Sequence, residues 1–335
     1  MRSFKTSDPF NYSSETCGGG RSFRRILKEG AKGLRSEEMT HGEFCALALE
    51  YGFKRVYFLA PERYELGENP HHLVADVKAE FPFASSVAAL VFPYAPFPEG
   101  ERIPPYYLAS NKAYHGMKAL LKKLSELGIR AEKAEIPIRP ALLNANIGAA
   151  LRTGFLSIAP FGTRIVLMSI AVEGLEPLEY AFSESTACSV CRKCIGACPA
   201  KAISESGVDF SLCHRAFMET AMHPDTIRDC QSTYIGCEVC QRCCPMNAKL
   251  PISEPSSDVR EAFDTERLIR GDASAARALV GKNMTSNGKL TAEAIAFAAR
   301  DGEFYKLILE QEDSQFEAVR DAVRYAKTKF NHKQG

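Results

Sequence analysis

The chain has 335 residues, of which 45% are hydrophobic and 25% are charged, and its formal net charge at pH 7 is +1. This balance excludes an overall attraction to nucleic acid or to a membrane surface, so any such partner would have to bind a local basic patch. No apolar run approaches the ~18 residues that a membrane helix needs and no signal-peptide core follows the N-terminus, so we expect a cytoplasmic protein without a membrane partner.

Residues 1–38 form a polar N-terminal arm. The arm is glycine-rich at Gly18–Gly20 and basic between Arg21 and Arg35. Such a segment suits either a solvated tail or a contact with an anionic partner.

Helix and strand patterns alternate over residues 39–180. Helical spacing occurs at Thr40–Tyr51, Val74–Phe81, Tyr107–Leu127 and Ala141–Thr153. Runs of strand length occur at Arg55–Ala60, Ser86–Phe92, Arg130–Ala134 and Arg164–Val172. This alternation predicts an α/β domain. No Gly-x-Gly-x-x-Gly or Walker-type loop occurs, so the sequence does not support a Rossmann nucleotide site.

Residues 254–335 are predicted to be helical. Helical windows occur at Ser257–Ile269, Ser274–Val280, Thr291–Ala299 and Gln315–Lys329, without a strand pattern. The tail from Arg320 to Lys333 is basic and is a second candidate contact for an anionic partner. The chain is therefore expected to combine α and β regions and to end in a helical segment.

Residues 181–253 carry the most specific motif, because they hold ten of the twelve cysteines. The motif begins Cys188-x2-Cys191-x2-Cys194-x3-Cys198-Pro199, continues through Cys213 and Cys230, and ends Cys237-x2-Cys240-x2-Cys243-Cys244-Pro245. Three thiolates spaced by three residues can bind one [4Fe–4S] cluster, while the cysteine before proline binds the other. The spacing predicts two [4Fe–4S] clusters in a bacterial-ferredoxin-like domain.

The same pattern predicts how the ligands are shared. The first cluster takes Cys188, Cys191, Cys194 and one of the adjacent pair Cys243 and Cys244. Cys244 is favoured because it precedes Pro245 as Cys198 precedes Pro199. The second cluster takes Cys198, Cys213, Cys237 and Cys240.

The ligand scheme leaves two cysteines over and has two alternatives. Cys230 and Cys243 are left over, and we interpret them as small buried thiols. Zinc is the alternative occupant of the Cys-x2-Cys pairs. Disulfides are disfavoured in a reducing compartment.

The order of these parts resembles the epoxyqueuosine reductase family. The likeness covers roughly residues 50–250 and is strongest at Tyr234–Gln241 and Cys244–Asn247, which look like the family's second cluster motif. The resemblance implies a nitroreductase-like N-terminal domain that binds cobalamin, two [4Fe–4S] clusters, and a core shared with corrinoid reductive dehalogenases. It also suggests cofactor contacts at Tyr114, His115, Arg139 and Asn144.

The sequence departs from this family at one position that matters for chemistry. The family places an aspartate, thought to deliver a proton, just before the helix predicted at Ala141–Thr153. Here the chain reads Pro137-Ile138-Arg139-Pro140, and no acidic residue lies between Glu135 and Glu173. Arginine stays protonated, so Arg139 can stabilise negative charge but cannot act as an ordinary acid. The catalytic residue and the substrate are therefore left unassigned.

Three functions are compatible with these features. The first is a reductase in which the clusters relay electrons from an external low-potential donor to cobalamin. The second is a ferredoxin-like electron-transfer protein without corrinoid chemistry. The third is a tRNA-binding protein whose basic arms at residues 21–35 and 320–333 contact phosphates, with structural clusters.

Overall fold

The computed structural model describes residues 39–65, 74–181, 187–219 and 224–334. Contacts divide the chain into two units. The first contains the described residues up to Tyr94, Lys112–Ala150 and Leu156–Thr186, and the second contains Ala95–Asn111, Leu151–Phe155 and the chain from Ala187 onward. The predicted domains 1–38, 39–180, 181–253 and 254–335 stay a prediction. The basic arm at residues 21–35 lies outside the described residues.

The first unit is built on a four-stranded antiparallel sheet. Its strands and those of its smaller two-stranded ladders are β1 (Arg55–Leu59), β2 (Arg63–Glu65), β3 (Val74–Asp76), β4 (Ser86–Pro93), β5 (Ala131–Lys133), β6 (Ala149–Ala150), β7 (Leu156–Ser157) and β8 (Ile165–Val172). The main sheet has the order β1-β4-β8-β5. Its central strands pair from Ser86 with Val172 to Pro93 with Ile165. The four predicted strands are confirmed. In β4 and β8 the continuous apolar runs suit central strands that are buried.

The helices of this part of the chain are α1 (His41–Glu50), α2 (Val77–Glu80), α3 (Pro105–Glu126) and α4 (Ile138–Asn144). Helix α1 begins with a capping box. The Thr40 hydroxyl accepts the Glu43 N–H at 3.2 Å, and the Glu43 carboxylate accepts the Thr40 N–H at 2.8 Å. Each contact satisfies a backbone donor that the first helical turn leaves free. The predicted helices at the start of the domain and at Tyr107–Leu127 are confirmed.

Two helix predictions were wrong in part. Val74–Phe81 starts as strand β3, which pairs with β2, and only its second half is helical. The predicted helix Ala141–Thr153 ends at Asn144. Asn146 and Gly148 have φ values of 61° and 76°, a left-handed backbone that ends a helix, and β6 then pairs with β7. Strand pairing therefore overrides the helix propensity of the alanines.

The second unit contains a short hairpin and a set of helices. The hairpin strands are β9 (Ile203–Ser204) and β10 (Gly207–Val208). The α-helices are α5 (Ala187–Val190), α6 (Lys193–Ala197), α7 (Asp225–Cys230), α8 (Val239–Arg242), α9 (Ser257–Ala262), α10 (Thr265–Ile269), α11 (Ser274–Val280), α12 (Lys289–Asp301), α13 (Tyr305–Leu309) and α14 (Glu317–Gln334). The helical windows beyond residue 254 are confirmed, with one break at Asp264, whose carboxylate caps α10 by accepting the Arg267 N–H at 2.9 Å.

Packing of the C-terminal helices fixes the second half of the cysteine motif. Helices α12 and α14 share a core in which Ile295 and Ala322 are fully buried. Tyr234, three residues before Cys237, inserts into this core. Its ring lies 6.3 Å from that of Phe263 and 5.2 Å from that of Phe297. Aromatic burial of this kind anchors the cysteine loop to the helices.

No helix among the described residues is both long enough and apolar enough to cross a membrane.

Candidate metal centre

The ten cysteines of the second unit divide into two groups according to which thiols influence one another electrostatically. In the first group, Cys194 interacts with Cys188 and Cys191, and both Cys243 and Cys244 interact with Cys191 and Cys194. In the second, Cys240 interacts with Cys213, Cys198 and Cys237, and Cys230 interacts with Cys198 and Cys237. Cys240 also interacts electrostatically with Cys243 of the first group, which lies one helical turn later in the chain. Each group thus offers five thiols.

Arg152 holds the loop that carries the first group. Its side chain is only 10% exposed. The guanidinium donates to the carbonyl oxygens of Cys188 at 3.2 Å and Ser189 at 3.4 Å, and also to that of Cys191. Its backbone N–H donates to the Cys188 Sγ at 3.3 Å. Glu205 lies 3.1 Å from the guanidinium and balances part of its charge. A fixed positive charge therefore stands beside the first thiol group.

The second group lines a cavity of about 250 Å³. The cysteines at its wall are Cys198, Cys213, Cys230, Cys237 and Cys240. Apolar side chains, among them Phe155, Ile203 and Val208, form much of the rest of the lining. Burial raises the pKa of Cys237, and burial together with the neighbouring thiols raises the pKa of Cys240 to about 12. Thiolates buried in such an apolar cavity need a compensating positive charge, because burial disfavours the charged form. The iron ions of an iron–sulfur cluster would supply that charge.

Several of the thiols accept hydrogen bonds from backbone N–H groups of later residues. The Cys237 and Cys244 sulfurs each accept a backbone N–H from the residue two positions later, Val239 and Met246. The Cys198 Sγ accepts the Ala202 N–H at 3.3 Å. Such bonds stabilise a thiolate.

Two thiols also donate to carbonyl oxygens. The Cys243 S–H donates to the Cys240 carbonyl at 3.5 Å, and the Cys230 S–H donates to the Ile227 carbonyl at 3.3 Å. These are the two cysteines that the spacing leaves over.

Within the described residues, no three His, Cys, Asp or Glu side chains are arranged to hold a single metal ion. Each ligand of a [4Fe–4S] cluster binds a different iron, so the grouping of the thiols is the geometric feature that bears on a cluster.

The residues predicted to contact a corrinoid lie on two helices of the sequence's first half. Tyr114 and His115 are exposed on α3, their rings 5.5 Å apart. Arg139 lies in the first turn of α4 and Asn144 is its exposed last residue. The Arg139 Nε is buried and, among the described residues, has no hydrogen-bond partner. The predicted cofactor contacts stay a prediction, and Arg139 is the one with an unused buried donor.

No protein-family model and no curated protein matches the sequence. Solved structures match the fold. An epoxyqueuosine reductase from Bacillus subtilis, captured with a catalytic aspartate loop swung out of its active site, superimposes with a TM-score of 0.67 at 18% identity, covering 86% of this chain and 89% of that chain. The enzyme from Streptococcus thermophilus gives a TM-score of 0.64 at 16% identity, covering 87% and 90%.

A third structure, epoxyqueuosine reductase with an epoxyqueuosine-modified tRNA-Tyr stem loop, gives a TM-score of 0.68 at 18% identity, covering 86% of this chain and 89% of that one. This chain has the fold of the epoxyqueuosine reductases. The resemblance found in the cysteine motif is confirmed at the level of the fold, over more of the chain than residues 50–250. The mixed α/β character is confirmed with it.

The predicted lack of a catalytic acid concerns the segment around Arg139 and stays a prediction. The matched Bacillus structure carries a catalytic aspartate loop. This chain has Arg139 between two prolines at the position where the sequence predicts that loop, and no acidic residue follows until Glu173. The epoxyqueuosine reductase fold is therefore present without the acidic side chain expected there.

The basic C-terminal tail is partly neutralised within the second unit. Arg324 pairs with Asp225 and Asp321, both at 3.0 Å, and Lys329 pairs with Asp229 at 2.6 Å. Lys327 also pairs with Glu312. Because these cations already have carboxylate partners, the tail offers less free positive charge to phosphates than its sequence indicates.

Sequence reasoning did not single out Arg152 or Arg300. Arg300 donates to the carbonyl oxygens of Arg228, Asp229 and Gln231 at 3.2, 3.2 and 2.8 Å, which fixes the end of α7 next to Cys230. Both arginines act on backbone carbonyls distant in sequence. Backbone acceptors have no side-chain signature, so no sequence pattern could have indicated these contacts.

Proposed function

We propose that the protein is an iron–sulfur oxidoreductase related to epoxyqueuosine reductase and carrying two [4Fe–4S] clusters. The observation that carries the proposal is the division of ten cysteines into two groups, each large enough to supply the four thiolates that a cluster takes. The thiols of one group share an apolar cavity wall, where uncompensated thiolates would be costly.

The proposed ligands are those that the spacing predicts. They are Cys188, Cys191, Cys194 and Cys244 for the first cluster, and Cys198, Cys213, Cys237 and Cys240 for the second. The N–H···S bonds to Cys198, Cys237 and Cys244 support this choice, because they favour the ionised ligand. Cys243 donates its S–H to a carbonyl instead, which supports Cys244 as the ligand of the adjacent pair.

Cobalamin is the proposed second cofactor. When bound, it would supply a strongly nucleophilic reduced cobalt, and the clusters would carry single electrons to it from an external low-potential donor. Tyr114, His115, Arg139 and Asn144 are the residues proposed to hold it. The buried Arg139 Nε fits a polar or anionic group of a corrinoid, because that donor has no hydrogen-bond partner among the described residues.

Arg139 would have a limited chemical role. Its guanidinium can stabilise negative charge that develops on a substrate, but it cannot donate a proton as a carboxylic acid does. We therefore propose a reductase of this fold in which the proton comes from another group or from water. Its substrate either differs from that of epoxyqueuosine reductase or is reduced in a different way.

A tRNA remains the macromolecular partner to test, because a structure with the same fold holds a tRNA stem loop. The basic segments proposed to contact phosphates are residues 21–35 and 320–333. Phosphate contacts release counterions, so binding should weaken by orders of magnitude between about 50 and 200 mM salt. Affinity for a tRNA stem loop that does not change with salt would rule out this contact.

A second candidate is a ferredoxin-like electron-transfer protein that keeps the clusters without corrinoid. The lack of an acidic residue between Glu135 and Glu173 favours it. Anaerobic reconstitution with iron, sulfide and cobalamin separates the two candidates. Roughly eight irons and about one cobalt per chain support the reductase, whereas eight irons without cobalt support the electron carrier. Zinc in these positions, or protein that stays colourless, overturns both.

A further inference from the structure

We propose that Cys230 is a reserve ligand of the second cluster, able to take the position of Cys213. The proposal rests on the two-cluster function proposed above. It assigns a role to a cysteine that the spacing leaves over.

The cavity of the second group has more thiols than one cluster needs. Five cysteines line the cavity of the second group, whereas a [4Fe–4S] cluster takes four protein thiolates. Cys230 shares the wall of this cavity with Cys198 and Cys237, two of the proposed ligands. The fifth thiol therefore belongs to the cluster's surroundings and not to the hydrophobic core of the unit.

Cys213 and Cys230 differ in how firmly the surrounding fold holds them. Cys213 follows four consecutive exposed residues, Asp209–Leu212, in which the Phe210 side chain is 60% exposed. On its other side His214 is buried, so packing holds Cys213 from one side only. Exposed segments open at lower free-energy cost than packed ones, so Cys213 should be displaced more easily than a ligand that is anchored from both sides.

Cys230, in contrast, is the last residue of an anchored helix. Arg228 of α7 is 1% exposed and pairs with Asp321 at 2.6 Å and with Asp225 at 3.3 Å. Arg300 binds the carbonyls on either side of Cys230. The fifth thiol is therefore held at the cavity wall whether or not the Cys213 segment is in place.

The exchange balances without an oxidant or reductant. The Cys213 sulfur leaves iron and takes up a proton, while the Cys230 S–H releases a proton and forms the new Fe–S bond. One Fe–S bond breaks, one forms, and one proton moves between two thiols through solvent or a neighbouring group. The Cys230 S–H gives up its hydrogen bond to the Ile227 carbonyl, which is a small cost.

The first group offers a matched control. Cys243 is the additional thiol of the first group, as Cys230 is of the second. Its S–H donates to the Cys240 carbonyl, one helical turn earlier in the chain. Its removal should not affect whether the second cluster survives loss of Cys213.

The test is anaerobic reconstitution of Cys213→Ala, Cys230→Ala, both together, and Cys213→Ala with Cys243→Ala, followed by iron and sulfide counting and EPR. We expect both single variants and the Cys243 control to keep roughly eight irons, with a shifted EPR signal for the reduced second cluster in Cys213→Ala. The Cys213→Ala/Cys230→Ala protein should fall to about seven irons, with a three-iron signal, or to about four.

The outcomes separate the two levels of the proposal. If Cys213→Ala alone loses as much iron as the double variant while the wild type holds roughly eight, ligand replacement is wrong and the two-cluster function stands. If the wild type itself falls well short of eight irons, the two-cluster function is overturned, and the role of Cys230 with it.

Discussion

The two thiol groups have the same ligand chemistry but different surroundings. The first lies against Arg152, whose guanidinium binds three carbonyls of its loop. The second lines a largely apolar cavity where burial raises the pKa of Cys240 to about 12. Spacing alone makes the two halves look like a repeat. Their surroundings differ: a mostly buried guanidinium holds the loop of the first group, whereas the second group lies against mainly apolar side chains, with Arg215 at the cavity wall and Arg300 beside Cys230.

This difference gives the proposed clusters an order of reduction potentials. Reduction adds negative charge to a cluster, so a nearby cation favours it and apolar burial opposes it. We expect the cluster of the first group to have the higher potential. Electrons would then move most readily from the second group toward the first.

The largest expected effect comes from deleting one group at a time. Cys237→Ala with Cys240→Ala removes two ligands from one turn, so the second cluster should be lost and iron should fall from roughly eight to about four per chain. Cys188→Ala with Cys191→Ala should cause the same loss at the first group. Iron counting and EPR after anaerobic reconstitution measure both.

The single cluster left in each double variant should have a different reduction potential. The potential should be lower in the variant that keeps the second group. Cys45→Ala is the control, since Cys45 is buried in α1 and is expected to keep all the iron. Equal potentials in the two double variants would contradict the comparison.

The next largest effect concerns the support of the second group. Asp321→Ala leaves the buried Arg228 guanidinium with only the partly exposed Asp225 among its ion-pair partners. Removing one partner of a buried pair costs about 3 kcal/mol or more. Urea unfolding of the second unit should show a loss of this size.

Asp313→Ala is the matched control for that experiment, because Asp313 is exposed and its loss should change stability by no more than about 0.5 kcal/mol. Equal stabilities of the two variants would mean that Arg228 does not depend on Asp321.

A smaller effect tests the cation of the first group. Arg152→Gln removes the charge but keeps a side chain that can donate to a carbonyl. The potential of the first cluster should fall by tens of millivolts, since about 59 mV is a tenfold change in a one-electron equilibrium. Glu205→Gln removes the counter-charge at 3.1 Å and should shift the same potential upward. Redox titration followed by EPR gives both values, and shifts of the same sign would refute the electrostatic role of Arg152.

The sequence predicts features that depend on local patterns and misses those that depend on tertiary contacts. Ser86–Phe92 and Arg164–Val172 were predicted correctly because a buried strand reads as a continuous apolar run. The spacing predicts that Cys198 and Cys244 each join the thiols of the other half, and they lie close enough to those thiols to influence them. The assignment of the ligands stays a prediction. The prediction of a helix over Ala141–Thr153 was wrong beyond Asn144. The left-handed turn at Asn146 and Gly148 accompanies the pairing of β6 with β7, and local helix propensity takes no account of such a pairing.

Arg152 was missed for a related physical reason. It follows an alanine-rich segment, where an arginine is usually a solvated end of a helix. Its partners are carbonyl oxygens 36 to 39 residues later in the chain. Side-chain identity therefore predicts which atoms can bind iron, whereas the charge around them depends on tertiary contacts that a single sequence does not display.

The smallest expected effect is a pH dependence of the second group's support. Burial alone would raise the pKa of Asp229, but the hydrogen bonds from Lys329 and from the Tyr325 hydroxyl outweigh it, so the pKa is lowered on balance. A carboxyl whose folded pKa lies below its unfolded value of about 3.9 stabilises the fold above that pH, and the contribution is lost as the pH falls through the folded pKa. Asp229 is 44% exposed, so solvent screening should keep the contribution below about 1 kcal/mol. Urea midpoints measured from pH 7 down to 3 should therefore fall slightly less in Asp229→Asn than in the wild type. A steeper fall in the variant would show that this carboxylate does not support the helix that carries Cys230.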